Sequence, residues 1–517
     1  MKQLNAAPSR SGKAHGIPFR CIAAFALAAL EVAAVVALTA TRCRYIPGFY
    51  LLAWCTEIAC VIRIISSDDS PDYKAPWLLI VLVLPVAGFM LYFMFYSRRL
   101  KKKYVRRMQE IKDSAYHRDD TEALHMLQTE SPVACGQVRL LCGIAETHLF
   151  TDTKQTYFPL GEAMHPAMLA DLRQAERFIF LEYFIIEEGL FWNAILDILR
   201  EKAAHGVEVR LVYDDMGCMT TLPGHYARTL NAWGIRAVPF SVLRGNADSE
   251  INNRSHRKLL IIDRKVGYTG GINLADEYIN AYEKYGHWKD TGVRLEGEAV
   301  WELTRLFLLD FGLNCPNAPA LTGSLFPASC RDERHGWTVP FGDGPRPIYP
   351  RWVGKSVIQS MLASAVRSAW ITTPYLIIGD DLCQALENAA LRGVDVRIIV
   401  PHIPDKRLVF EMARSYYPRL MAAGVKLYEY APGFIHAKSY LVDDEIAMIG
   451  TINLDYRCLV HHFENGVWMY RCACIRDLKA DMEATLARCI PVGPAQLQAG
   501  MLRRLLRAVL RIFVPML

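Results

Sequence analysis

Two stretches of this chain repeat one another at every position that carries chemistry, and this limits the folds open to it. The first runs His256, Lys258, Asp263, then Gly270, Gly271 and Asn273; the second runs His436, Lys438, Asp443, then Gly450, Thr451 and Asn453, with identical spacing. One His-x-Lys-x4-Asp match would arise by chance roughly once in ten thousand starts. Two copies with the same Gly-x-x-Asn tail point to duplication. The repeat also reaches upstream: residues 205–214 read HGVEVRLVYD and residues 392–401 read RGVDVRIIVP. Before each lies a helical pattern, at 191–204 and 382–391, and before that an apolar strand-like run, FIFLEYFII at 178–186 and WITTPYLII at 370–378. Strand, helix, glycine turn, strand is the order of a parallel β-α-β unit. We therefore expect a duplicated α/β lobe, the first over 137–320 and the second over 336–490. The Pro- and Gly-rich residues 315–350 read as the connector, and a shared site is expected at the interface between lobes.

The motif opens on a strand, because LLII (259–262) and SYLV (439–442) have buried-strand composition. His and Lys two apart on a strand face the same way. Lysine brings a positive charge for a phosphate oxygen, asparagine adds neutral donors, and the glycines permit the turn that returns it. Two halves supply two His, two Lys and two Asn around one phosphate. That inventory suits covalent catalysis: one neutral imidazole attacks phosphorus, and the other protonates the leaving alkoxide and then activates the incoming alcohol or water. The Lys and Asn pairs would stabilise the equatorial oxygens. No metal and no cofactor is called for, since the lysines bring the positive charge.

The N-terminal region reads as a membrane anchor over 1–110. Residues 77–96 are a 20-residue run without a charge, enough at ~1.5 Å per residue to cross a hydrocarbon core. Arg98, Arg99, Lys101, Lys102, Lys103, Arg106 and Arg107 follow directly, marking the cytoplasmic side and attracting anionic lipid. Residues 21–40 are apolar except for Glu31, and 49–65 except for Glu57 and Arg63, so two or three spans are expected. At the other end, 499–517 carries Arg503, Arg504, Arg507 and Arg511 on about half of a helical wheel and leucines on most of the rest. We expect a basic amphipathic helix on an anionic membrane. The alternative is a helix packed on the catalytic part with its arginines solvated.

The paired motifs resemble those of the phospholipase D superfamily. The fuller pattern resembles its bacterial cardiolipin synthases, through PVAGFMLYFMF (85–95), LEYFIIEEG (181–189), LVYDDMG (211–217), HWKDTGVRLEG (287–297) and TINLDYRCLVHHFENGVW (451–468). The resemblance implies two α/β/α mixed-sheet domains with a pseudo-two-fold active site, preceded by transmembrane helices in the bacterial inner membrane. It implies that two phosphatidylglycerol molecules yield cardiolipin and glycerol through a phosphatidyl-histidine. The catalytic set it implies is His256, Lys258, Asp263, His436, Lys438 and Asp443, with Asn273, Asn453, Asp290 and Glu464 in support. Within that set His256 is the nucleophile and His436 the acid and base. Asp290 and Glu464 orient the imidazoles, while Asp263 and Asp443 hold the local fold. Cys458 stands where the family often has serine.

Other readings stay open on sequence alone. A hydrolase releasing phosphatidic acid would use the same motifs. A membrane-tethered nuclease would call for a long basic groove with stacking aromatics, whereas the basic residues here gather beside the apolar segments, so no nucleic-acid partner is expected. A silent scaffold is disfavoured by the intact motifs. His461 and His462 have no His or Cys partner at ligand spacing and read as structural or surface residues. His287 reads as merely hydrogen-bonded, Tyr183 as a core aromatic, Glu182 as a possible site-lining residue, and Cys472 and Cys474 as small buried residues. The 14 cysteines include no C-x-x-C pair, so neither a zinc motif nor a disulfide framework is announced, and a reducing compartment is expected.

Overall fold

The computed structural model describes residues 47–67, 71–93, 102–113, 118–241, 252–315, 334–493, 497 and 500–513. The apolar segment 21–40 and, of the basic run, Arg98, Arg99 and Lys101 lie outside them. Each lobe is built on one mixed sheet. The seven-stranded sheet of the first lobe runs Lys154–Phe158, Gly292–Glu296, Val266–Gly270, Lys258–Ile262, Phe178–Tyr183, Glu208–Asp214, Arg236–Phe240. The second lobe repeats it strand for strand as Trp337–Asp343, Glu464–Tyr470, Ile446–Gly450, Ser439–Val442, Ser368–Thr372, Asp395–Pro401, Lys426–Tyr430, and adds Cys489–Pro491 at the edge. In both, the strand before the crossover helix pairs parallel with the strand after it and antiparallel with the motif strand. The crossover helices, Leu190–Ala204 and Asp380–Leu391, are followed by Gly206 (φ +87°) and Gly393 (φ +91°). This left-handed conformation after a helix end is easy only for glycine. It turns both chains back into the sheet.

The helix Val300–Asn314 is buried along almost its whole length. Phe180 stacks on Phe307, ring centroids 4.8 Å apart. The polar groups of this helix are paired inside: Arg305 with Glu302 at 2.8 Å, and Asp310 with Arg257 at 2.7 Å. Truncating Phe307 to alanine would cost about 3–5 kcal/mol.

The expected 77–96 span is not one helix. The chain forms a helix Pro71–Val83, breaks at Leu84 (φ −127°, ψ 79°), and starts again as Pro85–Leu91. Proline offers no N–H and drives the residue before it out of the helical region. The two arms fold back on each other, so that the Trp77 and Tyr92 rings meet edge to face at 5.9 Å. Gly88 allows the close approach, since a Cβ there would strike the Ile80 backbone. Residues 49–65 lie in the helix Pro47–Ile65, which packs on both arms. Among the described residues no helix is long and apolar enough to cross a membrane. The base of this hairpin is tied to the second lobe. Asp72 accepts the Asp380 N–H at 2.9 Å, and Tyr73 stacks on Tyr456 at 6.4 Å.

The C-terminal helix Met501–Phe513 sits on the second lobe by its arginines, an orientation neither sequence reading anticipated. Arg507 pairs with Glu411 at 2.9 Å, Arg503 approaches the same carboxylate at 3.6 Å, and Arg511 lies over the Tyr416 ring at 4.8 Å. Leu502, Leu505, Leu506 and Val509 face outward, Leu502 at 81% exposure.

Candidate active site

The two motif strands bring His256, Lys258, His436 and Lys438 into one buried region between the lobes. Each histidine is sewn to the opposite lobe. The His256 N–H donates to the Phe463 carbonyl at 2.9 Å, and the His436 N–H to the Lys289 carbonyl at 2.7 Å. Beside His436, Gly433–Ile435 pairs parallel with His287–Lys289. These cross-lobe bridges set the carboxylates. His256 Nδ1 lies 3.0 Å from Glu464, and His436 Nδ1 lies 2.6 Å from Asp290. So the first lobe's histidine is oriented by the second lobe's carboxylate, and the reverse. An Nδ1–H donated to a carboxylate places the free lone pair on Nε2, the tautomer a nucleophile needs.

The lysines point their ammonium groups back over the motif. Lys258 Nζ donates to the His256 carbonyl at 2.7 Å; Lys438 Nζ donates to the His436 carbonyl and lies 2.7 Å from His436 Nδ1. Burial and mutual repulsion lower Lys258 to about 7, and burial lowers Lys438 to about 8. Burial, and then the Lys438 charge, lower His436 to about 4; burial and the Lys258 charge hold His256 well below its usual value. His256 also feels Lys438 and His436, so the two motifs share one electrostatic site. Burial raises Glu464 to about 8. A buried group of cations this dense is stabilised by an anion, and a phosphodiester supplies one.

The motif aspartates stand apart from this centre. Asp263 accepts the N–H groups of Glu176, Arg177 and Phe178 at 2.7–2.8 Å, and Asp443 those of Val366, Arg367 and Ser368 at 2.6–2.8 Å. Both adopt φ +52° and bind the turn after the motif strand to the start of its neighbour. Their carboxylates are occupied by these backbone N–H groups rather than turned toward the motif histidines. The two asparagines each commit one N–H to the local frame, Asn273 to the Tyr278 hydroxyl at 2.7 Å and Asn453 to Asp455 at 2.9 Å. A second N–H remains on each.

Several residues here were not evident in the sequence. Arg254 holds Asp214 through paired bonds at 2.9–3.0 Å, and Ser255 bonds Glu182, bracing the residues just before His256. Tyr278, Trp288 and Phe434 wall His436 with ring centroids 5.4–5.9 Å away, and Phe184 meets His256 edge on at 5.2 Å. The signal for the first three was present as aromatics flanking Asp290 and His436, but aromatics at strand spacing equally describe a core. His462 is neither exposed nor isolated: its Nδ1 lies 3.5 Å from Glu464 and its ring centroid 5.6 Å from that of His256. Of the structural and surface roles expected for it, the buried placement excludes the surface one. Its partner His256 lies some 200 residues away in sequence, beyond the reach of a spacing argument.

Fold and site together define an α/β phosphodiester-transfer protein of the phospholipase D type. The crystal structure of phosphatidylserine synthase from Haemophilus influenzae has this fold, with a TM-score of 0.55 at 15% identity over 74% of this chain and 98% of that one. The cardiolipin synthase, phospholipase-D-like domain family matches residues 168–286 and 358–486, and the phospholipase D-nuclease N-terminal family matches 58–95. Cardiolipin synthase of Halalkalibacterium halodurans is 35% identical over 84% of this chain and 86% of its own length. That of Geobacillus kaustophilus is 33% identical over 91% and 94%. An uncharacterized protein of Streptococcus mutans is 40% identical over 89% of this chain and its full length. The chain belongs to the cardiolipin synthase family.

Proposed function

We propose that this protein transfers a phosphatidyl group from one phosphatidylglycerol to another, giving cardiolipin and glycerol. The reading rests chiefly on two cross-lobe histidine–carboxylate pairs facing one buried, lysine-rich centre in a chain of this family. The Nε2 lone pair of His256 forms the P–N bond while the P–O bond to the departing glycerol breaks, and His436 gives that oxygen its proton. A hydroxyl of the second phosphatidylglycerol then returns a proton to His436. Its oxygen takes the phosphorus, and the P–N bond breaks. His436 must be protonated for the first step, and the incoming phosphodiester favours this by opposing the lysine charges that depress it. Lys258 and Lys438 steady the equatorial oxygens. The aromatic wall around His436 excludes water, which would otherwise divert the intermediate to phosphatidic acid.

Labelled phosphatidylglycerol supplied as the only lipid to the protein in detergent is expected to yield cardiolipin and glycerol in equal amounts. Phosphatidic acid alone would establish the hydrolase, and no turnover would overturn the reading. Turnover is expected to persist in excess chelator.

We further read 1–110 as a membrane anchor, 137–320 and 336–490 as the two catalytic lobes, and 499–517 as a membrane-seated helix. The catalytic part would face the cytoplasm at the bacterial inner membrane. The support is one-sided exposure. Trp54, Ile62 and Ile65 on the first helix, Leu82 and Val83 at the hairpin bend, and Leu502 and Leu505 at the C-terminus all face outward. The C-terminal helix also contacts the hairpin. With Arg503, Arg507 and Arg511 turned to the lobe, this helix offers the membrane its leucines beside the exposed Arg504. Leu502→Glu with Leu505→Glu is expected to reduce flotation with phosphatidylglycerol vesicles; unchanged flotation would remove the helix from the membrane contact.

A further inference from the structure

Beside the nucleophile, four buried side chains, His256, Cys458, His462 and Glu464, bring one possible ligand atom each within 4.8 Å of the others. Cys458 Sγ lies 3.8 Å from His256 Nδ1 and 3.9 Å from His462 Nδ1. Glu464 Oε1 lies 3.0 Å from the first imidazole and 3.5 Å from the second. A tetrahedral zinc ion, with Zn–N and Zn–O near 2.1 Å and Zn–S near 2.3 Å, requires ligand separations of about 3.6 Å between N and S and about 3.4 Å between N and O. These four of the six separations depart from those values by a few tenths of an ångström, and all six lie within 4.8 Å. The other Glu464 oxygen accepts the Thr451 hydroxyl and also lies 3.0 Å from His256 Nδ1. Three of the ligands come from one short stretch, 458–464. It runs from the helix Tyr456–Val460, started by Asp455 accepting the Cys458 N–H at 2.8 Å, into the strand Glu464–Tyr470. The fourth is His256 itself.

The geometry points to an inhibitory zinc site formed by His256, Cys458, His462 and Glu464. A thiolate, two imidazoles and one carboxylate form a borderline-soft donor set that selects Zn²⁺ over Mg²⁺ or Ca²⁺. Inhibition follows from which ring nitrogen is used, and to that extent rests on His256 being the nucleophile. Ligation through Nδ1 requires that nitrogen to give up its proton, and neutral imidazole then carries its proton on Nε2. The atom that must attack phosphorus no longer has a lone pair, and Glu464 can no longer orient the ring. Binding also releases the thiol proton of Cys458 to solvent. The site at His436 has no counterpart: Tyr278, Trp288 and Phe434 stand around it. Zinc would therefore act on one histidine of the pair.

The test uses full-length protein in detergent, stripped of metal, and its Cys458→Ser variant, titrated with Zn²⁺ and separately with Co²⁺. Expected for the parent protein are one Zn²⁺ retained per chain after desalting, a thiolate-to-cobalt charge-transfer band, and loss of phosphatidyl transfer reversed by chelator. Cys458→Ser should keep its metal-free turnover, lose the cobalt band, and need roughly 100-fold more Zn²⁺ for half inhibition. Loss of a direct ligand should cost at least as much as loss of an outer-sphere partner, which runs from about tenfold to about 100-fold. Failure of the parent to retain Zn²⁺, or equal zinc sensitivity of the two proteins, would overturn the site. Zinc retained with turnover unchanged would overturn its inhibitory role. If the protein turned over some other lipid, the cobalt band and metal retention would still report on the site.

Discussion

The two halves of the active centre share a backbone plan and differ in what surrounds each imidazole. At His256 the orienting carboxylate, Glu464, receives a hydroxyl from Thr451 and stands among a thiol and a second imidazole. At His436 the carboxylate is the shorter Asp290, which accepts the Thr291 N–H at 2.8 Å, and the surroundings are aromatic. The residue matching Thr451 is Gly271, where a Cβ would fall on Asp290 itself. One duplicated frame thus carries a polar histidine and a walled-in one. This is what a covalent two-step transfer asks for: a nucleophile with a well-fixed tautomer, and an acid and base shielded from water.

The largest expected effect separates the two roles outright. His256→Asn and His436→Asn should each reduce transfer by more than about 10⁴-fold, given how catalytic units fail when one member is lost. Only His436→Asn, which keeps the nucleophile, should accumulate a covalent phosphatidyl adduct on acid-quenched protein. An adduct on His436 in the other variant would reverse the assignment. Next come the carboxylates. Glu464→Gln and Asp290→Asn each leave the imidazole without its acceptor, and a fall of roughly 10²- to 10⁴-fold in kcat is expected by analogy with a mis-set tautomer. Burst kinetics should place the loss in adduct formation for Glu464→Gln. Equal effects on formation and breakdown in both variants would mean that the halves do not differ in role.

The matched pair Gly271→Ala and Thr451→Ala sharpens the contrast. The alanine methyl at 271 displaces Asp290 and should cost about as much as losing that carboxylate. At 451 only one hydroxyl donor is removed, worth about 1 kcal/mol, or roughly fivefold in kcat. Comparable losses at the two sites would show that the packing difference is immaterial. The smallest effect is on stability. Lys258 titrates near 7 in the fold against 10.5 when unperturbed. Between those values the unfolded chain binds more protons and stability climbs with pH. Lys258→Met removes this penalty while abolishing turnover. Its gain in Tm should be full below about pH 7 and fade toward about pH 10.5, and a gain independent of pH would mean that the ammonium is not the cause.

Sequence and structure agree closely on the lobes. Local pattern and duplication reinforce each other there: the crossover helices, the glycine turns at 206 and 393 and both motif strands could be read because each is dictated within about fifteen residues. The membrane-proximal parts show the opposite. Hydropathy over 77–96 could not register that one proline would fold the run back on itself, and a helical wheel could not say which face of 501–513 the lobe would claim. Glu411 and Tyr416, the groups that claim it, lie some ninety residues upstream.

What the sequence determined by itself was the duplication, the strands that carry the motifs and the identity of the paired His and Lys residues those strands present, since residue type and period suffice for these. Tertiary structure alone decided that each histidine takes its carboxylate from the other lobe and that Cys458 and His462 meet His256. Those arrangements depend on strands more than a hundred residues apart lying side by side, which no local pattern encodes.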